Sequence, residues 1–190
     1  GGVAGTDGAA LIVADYTAAA ALAGGYDFDC AAAHGLSDGS TQATLAAFIR
    51  DYNKSGRRAF IVFGGASLET QATAAGRATT YDDATTYATY ETAAREIIIL
   101  TTDLKRLSDS VTFISAEVAS RVAGYISSIG VKRSPVNAKL TGFQVVNPYS
   151  PTNYETCQAQ GIMPFSNDTI TRVRIEAGNT AMVTYTTGAD

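Results

Sequence analysis

Residues that do chemistry are scarce in this chain. Its 190 positions hold no tryptophan, one histidine, two cysteines and two methionines. Cys30 and Cys157 stand 127 positions apart, so with His34 they cannot supply the closely spaced ligands of a structural zinc site. Two such distant thiols do not suggest a secreted disulfide framework. Both read as small buried apolar side chains in a reducing compartment. Charge is also sparse: 17% of residues are charged, and 18 acids against 14 bases leave a net −4. Phosphate affinity comes from clustered Lys and Arg, so nucleic-acid binding through a basic face is excluded. No apolar run approaches the ~18 residues of a membrane span, so membrane insertion is not expected.

Small uncharged residues fill the chain instead: 33 Ala, 24 Thr and 18 Gly. The length suits a single domain with its own core, and no internal repeat or composition break divides it. Leu11-Ile12-Val13-Ala14 reads as a strand, residues 17–23 as an Ala-rich helix stopped by Gly24-Gly25, and residues 26–32 as a second strand. Asp38 or Ser40 can cap a helix with Leu45, Phe48, Ile49 and Tyr52 on one face, ended by Gly56. Residues 58–63 and 97–100 are apolar without alternation, as in strands covered on both faces, and 111–114 is a further strand. Residues 69–80, 83–94 and 115–129 read as helices, the last with Val118, Val122, Tyr125, Ile126 and Ile129 on one face. Residues 134–142 read as a connector and 143–146 as a strand. Ser150-Pro151 and Gly161 bracket a short helix. Residues 172–176 alternate, and Gly178-Asn179 turns them onto 182–185. The fold class is therefore α/β: a mostly parallel sheet flanked by helices on both sides, ending in an antiparallel hairpin.

No catalytic, cofactor or metal site is predicted. His34 is the only side chain whose ordinary titration range suits a general base at neutral pH, and it lies beside Ser37 and Asp38. The G-x-S-x-G turn of a serine hydrolase is missing, and Gly64-Gly65-Ala66-Ser67 has the wrong spacing, so His34 reads as a loop residue ahead of a helix cap. Gly64-Gly65 follows a strand and precedes a helix, where an anion could sit, but without further phosphate-binding residues a tight turn is preferred. Asp27 and Asp29 alternate along one predicted strand and would share a face, as a hard cation or a solvated rim would require. Asp82-Asp83 reads as a helix start. Tyr81, Tyr87 and Tyr90 fit either a helix face on the sheet or a sticky platform. The bases Lys54, Arg57 and Arg58, then Lys105 and Arg106, Lys132 and Arg133, and Arg172 with Arg174 on one strand face suit contacts between subunits.

Four ordered segments resemble a known family. They are the Gly-rich entry with Asp7-Gly8 and 11–16, then 43–51 leading into 58–62. Next come Glu117 to Ile126 with Val122-Ala123-Gly124, followed by Ser134-Pro135 and Lys139-Leu140-Thr141-Gly142, and finally 154–162 with 172–180. Together they are similar to the sheath proteins of contractile phage tails and related injection systems. That resemblance implies a structural subunit, not an enzyme, with neighbouring sheath subunits, an inner tail tube and a baseplate as partners. It implies a virion location, with assembly in the bacterial host cytoplasm. It also implies that residues 1–190 form one sheath-like domain lacking the family's N-terminal arm and C-terminal domain, and that such a piece stays monomeric. The alternatives are a hydrolase-like enzyme using His34 with Asp27 and Asp29, and a surface domain binding carbohydrate or protein through its Thr- and Tyr-rich segment.

Overall fold

A computed structural model describes residues 12–81, 96–129, 139–169 and 172–175. The predicted helix over 83–94, the Asp82-Asp83 start, Tyr87, Tyr90, Lys132, Arg133 and the strand at 182–185 lie outside those residues.

The elements run α1 (Val13–Ala23), β1 (Cys30–Ala32), α2 (Gly39–Lys54), β2 (Phe60–Phe63), α3 (Gln71–Tyr81), β3 (Ile97–Thr101) and β4 (Leu104–Arg106). There follow β5 (Thr112–Phe113), α4 (Ser115–Ile129), β6 (Lys139–Thr141), β7 (Phe143–Val145), α5 (Pro151–Ala159), β8 (Ile162–Thr169) and β9 (Arg172–Ile175). The main sheet has the order β1-β2-β3-β8-β9-β6. Its first four strands are parallel, and β9 and β6 join antiparallel. A second sheet, β5-β4-β7, is antiparallel.

Side-chain alternation along the strands divides the core in two. Ile61, Phe63, Ile97, Ile99 and Ile162 face α2, α3 and α5. Val62, Ile98, Leu100, Met163 and Phe165 face α4, which presents Val118, Ala119, Val122 and Ala123. Each such valine or isoleucine contributes about 1.5–3 kcal/mol by leaving water. The small, buried Ala119 and Ala123 let α4 lie close to the sheet.

Several expectations need correction. Residues 11–14 were expected to form a strand, yet Val13 opens α1. The Asp15 carboxylate accepts from the Ile12 N–H at 2.9 Å and closes the first turn, and the alanine run that follows favours helix. Only Cys30–Ala32 of residues 26–32 pairs as a strand, which leaves Asp27 and Asp29 outside it. Of residues 111–114, Thr112–Phe113 pairs, and it does so in the second sheet. The connector over 134–142 contains β6, and β4 and β8 carried no recognisable pattern.

β8 sits near the sheet centre although Pro164 interrupts it. Proline lacks the N–H that a ladder needs. Here it falls at the last rung of the β3 pairing, opposite Thr101, and the next N–H, that of Phe165, donates to Thr102 Oγ1 at 3.2 Å. From Phe165 onward β8 pairs with β9 instead. A side-chain hydroxyl therefore takes over where the backbone ladder stops.

Asp38 caps α2. Its Oδ2 accepts from the Thr41 N–H at 2.8 Å and from the Ser40 and Thr41 hydroxyls at 2.7 Å each. The two hydroxyl bonds, then the backbone bond, hold its carboxyl down at about 2. A depressed folded-state value means that the cap stabilises fully above the unfolded range near 4 and is lost as pH falls through about 2. Replacing Asp38 by Ala should therefore lower the melting temperature at pH 7 and have a much smaller effect at pH 2. A pH series of thermal melts checks this, and an equal loss at both ends would refute the cap's titration.

Candidate functional site

The predicted reactive residues are not brought together. His34 is exposed, and its Nδ1 lies 3.2 Å from Ser120 Oγ. Among the described residues no carboxylate hydrogen-bonds to it, and Asp38 is committed to the α2 cap. Asp27 is exposed with its Oδ1 3.4 Å from Arg57 Nε. Asp27 and Asp29 line an open groove of about 460 Å³ with Arg57 and Arg58, so bases offset the acids where a cation was considered. Among the described residues no three His, Cys, Asp or Glu side chains cluster as a metal site would require. No helix there is long and apolar enough to cross a membrane.

The Gly64-Gly65 turn holds an anion, but the anion belongs to the chain. Glu69 is buried behind the turn and paired with Arg77: Nε donates to Oε1 at 2.7 Å and Nη2 to Oε2 at 2.6 Å. Arg77 also donates to the Leu100 carbonyl at 3.2 Å and to Gln42 Oε1 at 3.2 Å. Gln42 Nε2 donates to the carbonyls of Leu36 and Gly64, at 2.6 and 2.8 Å, and its Oε1 accepts the Tyr81 hydroxyl at 2.5 Å. Burial pushes the Tyr81 hydroxyl up to about 12. Tyr81 is thus a core residue, not part of a platform. The network ties α2, α3, β3 and the turn after β2 together with no group left to react.

Cys157 is buried and free, its thiol pushed up to about 12 by burial and then by the charge of Glu69. Cys30 is only half-buried, so the expectation of a fully buried side chain fails there.

What remains is surface. The short helix α1 buries only Ala20 fully, and Val13, Leu22 and the following Tyr26 are exposed. A helix apolar on nearly all sides is normally covered. On the antiparallel end of the sheet, β6 and β9 place Lys139 opposite Arg174 and Thr141 opposite Arg172. Val173 and Ile175 point into the core while Arg172 and Arg174 stay half-exposed. Asp168 lies 3.1 Å from Arg172 and 3.4 Å from Lys139. This basic strip lies on a chain of net −4. Between α2 and α3 runs an open groove of about 530 Å³ floored by Tyr81 and lined by Gly39, Ala43 and Gly76.

The exposed apolar residues of α1 and the half-exposed basic strip are surfaces suited to contacts. Over residues 10–181 the sequence matches the family model of the phage tail sheath protein central domain. The chain belongs to the phage tail sheath protein family. Among solved structures the sheath fold recurs in the sheath tail protein of Desulfitobacterium hafniense, with a TM-score of 0.76 and 18% identity over 97% of this chain and 39% of that one. It recurs in the baseplate of the anti-feeding prophage, at TM-score 0.61 and 10% identity over 90% of this chain and 43% of that one. The same prophage's contracted helical sheath aligns at TM-score 0.55 and 11% identity, over 86% of this chain and 42% of that one. No curated protein matches the sequence. The sheath domain described here spans about two fifths of the length of these solved relatives. Its role is that of a structural sheath-subunit domain.

Proposed function

We propose that this domain is the central part of a larger subunit that polymerises around an inner tail tube and contracts to drive the tube through a cell envelope. The match to the sheath central domain over residues 10–181 carries this reading. Its work is mechanical rather than chemical. The Glu69–Arg77 network stitches α2 and α3 to the sheet, and packed bodies of this kind shift between arrangements by exchanging one set of contacts for another. The basic strip of Lys139, Arg172 and Arg174 suits acidic surface on a neighbouring copy of a net-negative chain. The baseplate and tube are the other partners under this reading, and the tail of the virion is its location.

Expression of the whole gene with its tube protein, viewed by electron microscopy, is expected to give striated cylinders in a long and a short state. Purified tails should contain the polypeptide in many copies per tube. Monodisperse particles alone, together with absence from tails by mass spectrometry, would refute the proposal.

A further inference from the structure

The packing that holds α1 in place is thin. It lies on α2, burying Ala20 fully and Tyr16 in part, while Val13, Asp15 and Thr17 are exposed and Leu22 is 74% exposed. Its side-chain bonds are local: the Thr17 hydroxyl donates to the Val13 carbonyl at 2.9 Å, and Asp15 closes the first turn on Ile12. Both bind the helix to itself rather than to α2. An isolated helix shorter than about 12–15 residues is marginal in water even when rich in alanine, and α1 has 11.

Directly after α1 the chain is clamped. Arg57 Nη1 donates to the Gly24 carbonyl at 2.6 Å and to the Tyr26 carbonyl at 3.3 Å. The Tyr52 hydroxyl donates to the Tyr26 carbonyl at 2.9 Å and accepts the Phe28 N–H at 3.1 Å. The rings of Phe28 and Tyr52 stack with centroids 4.4 Å apart. The boundary between loose and held chain falls within Gly24. Its N–H donates back to the Ala20 carbonyl at 2.9 Å, whereas its carbonyl belongs to the clamp.

Nothing in the docked form requires glycine at this boundary. Gly24 has φ −58° and ψ −19°, a right-handed conformation open to any residue. A Cβ there would stand 3.4 Å from the Ala21 carbonyl oxygen and 3.5 Å from Phe48 Cε2, which is ordinary contact. Alanine would fit and would cover part of Phe48. Glycine instead favours release, because it regains more backbone freedom than any other residue when the docked form is left.

We propose that α1 is a hinged strap that leaves α2 as a unit, pivoting at Gly24, while both sheets stay folded. The clamp of Arg57 and Tyr52 stops the opening from running on into β1. A helix of this length spans about 16 Å, so the pivot can carry its first residue through up to about 30 Å without breaking a rung of either sheet. The motion lies within one copy and needs nothing from the sheath reading, so each can fail without the other.

Amide hydrogen exchange on the 190-residue chain tests the hinge. Residues 17–23 should exchange at least about a hundredfold faster than residues 45–52 of α2. Gly24→Ala should slow residues 17–23 about two- to fivefold by narrowing the open state, and leave residues 45–52 unchanged. Ala20→Lys keeps a helix-forming residue but sets a charge at the one fully buried position of α1. Residues 17–23 should then exchange like an unstructured peptide, while the melting temperature falls by no more than about 2–4 °C. One shared rate for 17–23 and 45–52 in the wild type would overturn the hinge. So would lost protection of residues 45–52 in Ala20→Lys, or no slowing in Gly24→Ala.

Discussion

Gly64→Ala is expected to lower the melting temperature of this chain by about 6–12 °C, the equivalent of about 3 kcal/mol. A Cβ at position 64 would lie 2.1 Å from the Ser115 carbonyl carbon and from the Ala116 nitrogen, and 2.3 Å from the Ser115 oxygen. Those are backbone atoms at the start of α4, so no side chain can swing away to make room. Relief requires α4 to move bodily, and α4 seals one whole face of the main sheet through Val118, Ala119, Val122 and Ala123. Close packing makes interiors intolerant of such a shift. The glycine is needed here for space rather than for its dihedral freedom, so a test by thermal or urea unfolding discriminates between the two. Gly56, exposed at φ +89° with nothing near its missing Cβ, should lose far less on the same change. Equal losses at both positions would remove the close-approach explanation.

Arg77→Met should destabilise by about 3–5 kcal/mol, because it strands a carboxylate where water cannot reach it. The Glu69 side chain is 2% exposed and that of Arg77 10%. Losing the guanidinium also removes the donor to the Leu100 carbonyl and one donor to Gln42. The pair as a whole is a different matter. Desolvating two charges costs nearly as much as their attraction returns, so the double variant Glu69→Leu with Arg77→Met should be more stable than Arg77→Met alone. Urea unfolding of the two single variants and the double variant measures this coupling. Strictly additive losses would show that Glu69 and Arg77 act independently, against the bidentate geometry seen here.

These two features were invisible in the sequence for a common reason. Gly64-Gly65 read as a plain tight turn, since nothing local announced that α4, some fifty residues later, would press against it. Glu69 read as the first residue of a helix, whereas it precedes α3 and turns inward as the counter-ion of Arg77. Local periodicity was a good guide where a helix has one wet and one dry face: residues 115–129 form α4 with the predicted face inward, and Asp38 and Ser150 cap α2 and α5 as their types suggest. It failed for β8, whose Ile-Met-Pro-Phe-Ser-Asn-Asp-Thr pairs first with one neighbour and then with another, so no single alternation runs through it. It failed also at Leu11 to Ala14, where a short apolar run suits strand and helix equally and the alanines beyond it decided. The left-handed backbone at Leu68 was not legible either, because the carboxylate that holds its N–H, that of Asp103, lies in a distant part of the chain.

The place of β8 in the sheet bears on how the chain comes off the ribosome. β3 is buried along its whole length, yet its second neighbour is β8, which begins at Ile162. While residues between them are being translated, an apolar edge of Ile97, Ile98, Ile99 and Leu100 has β2 on one side and nothing on the other. Unpaired edges of that kind recruit strands from other nascent chains. At about 5–20 residues per second, the gap lasts several seconds on every chain made. Closing the sheet is then a race against neighbouring chains on the same messenger, and the arrival of the last third of the domain decides it.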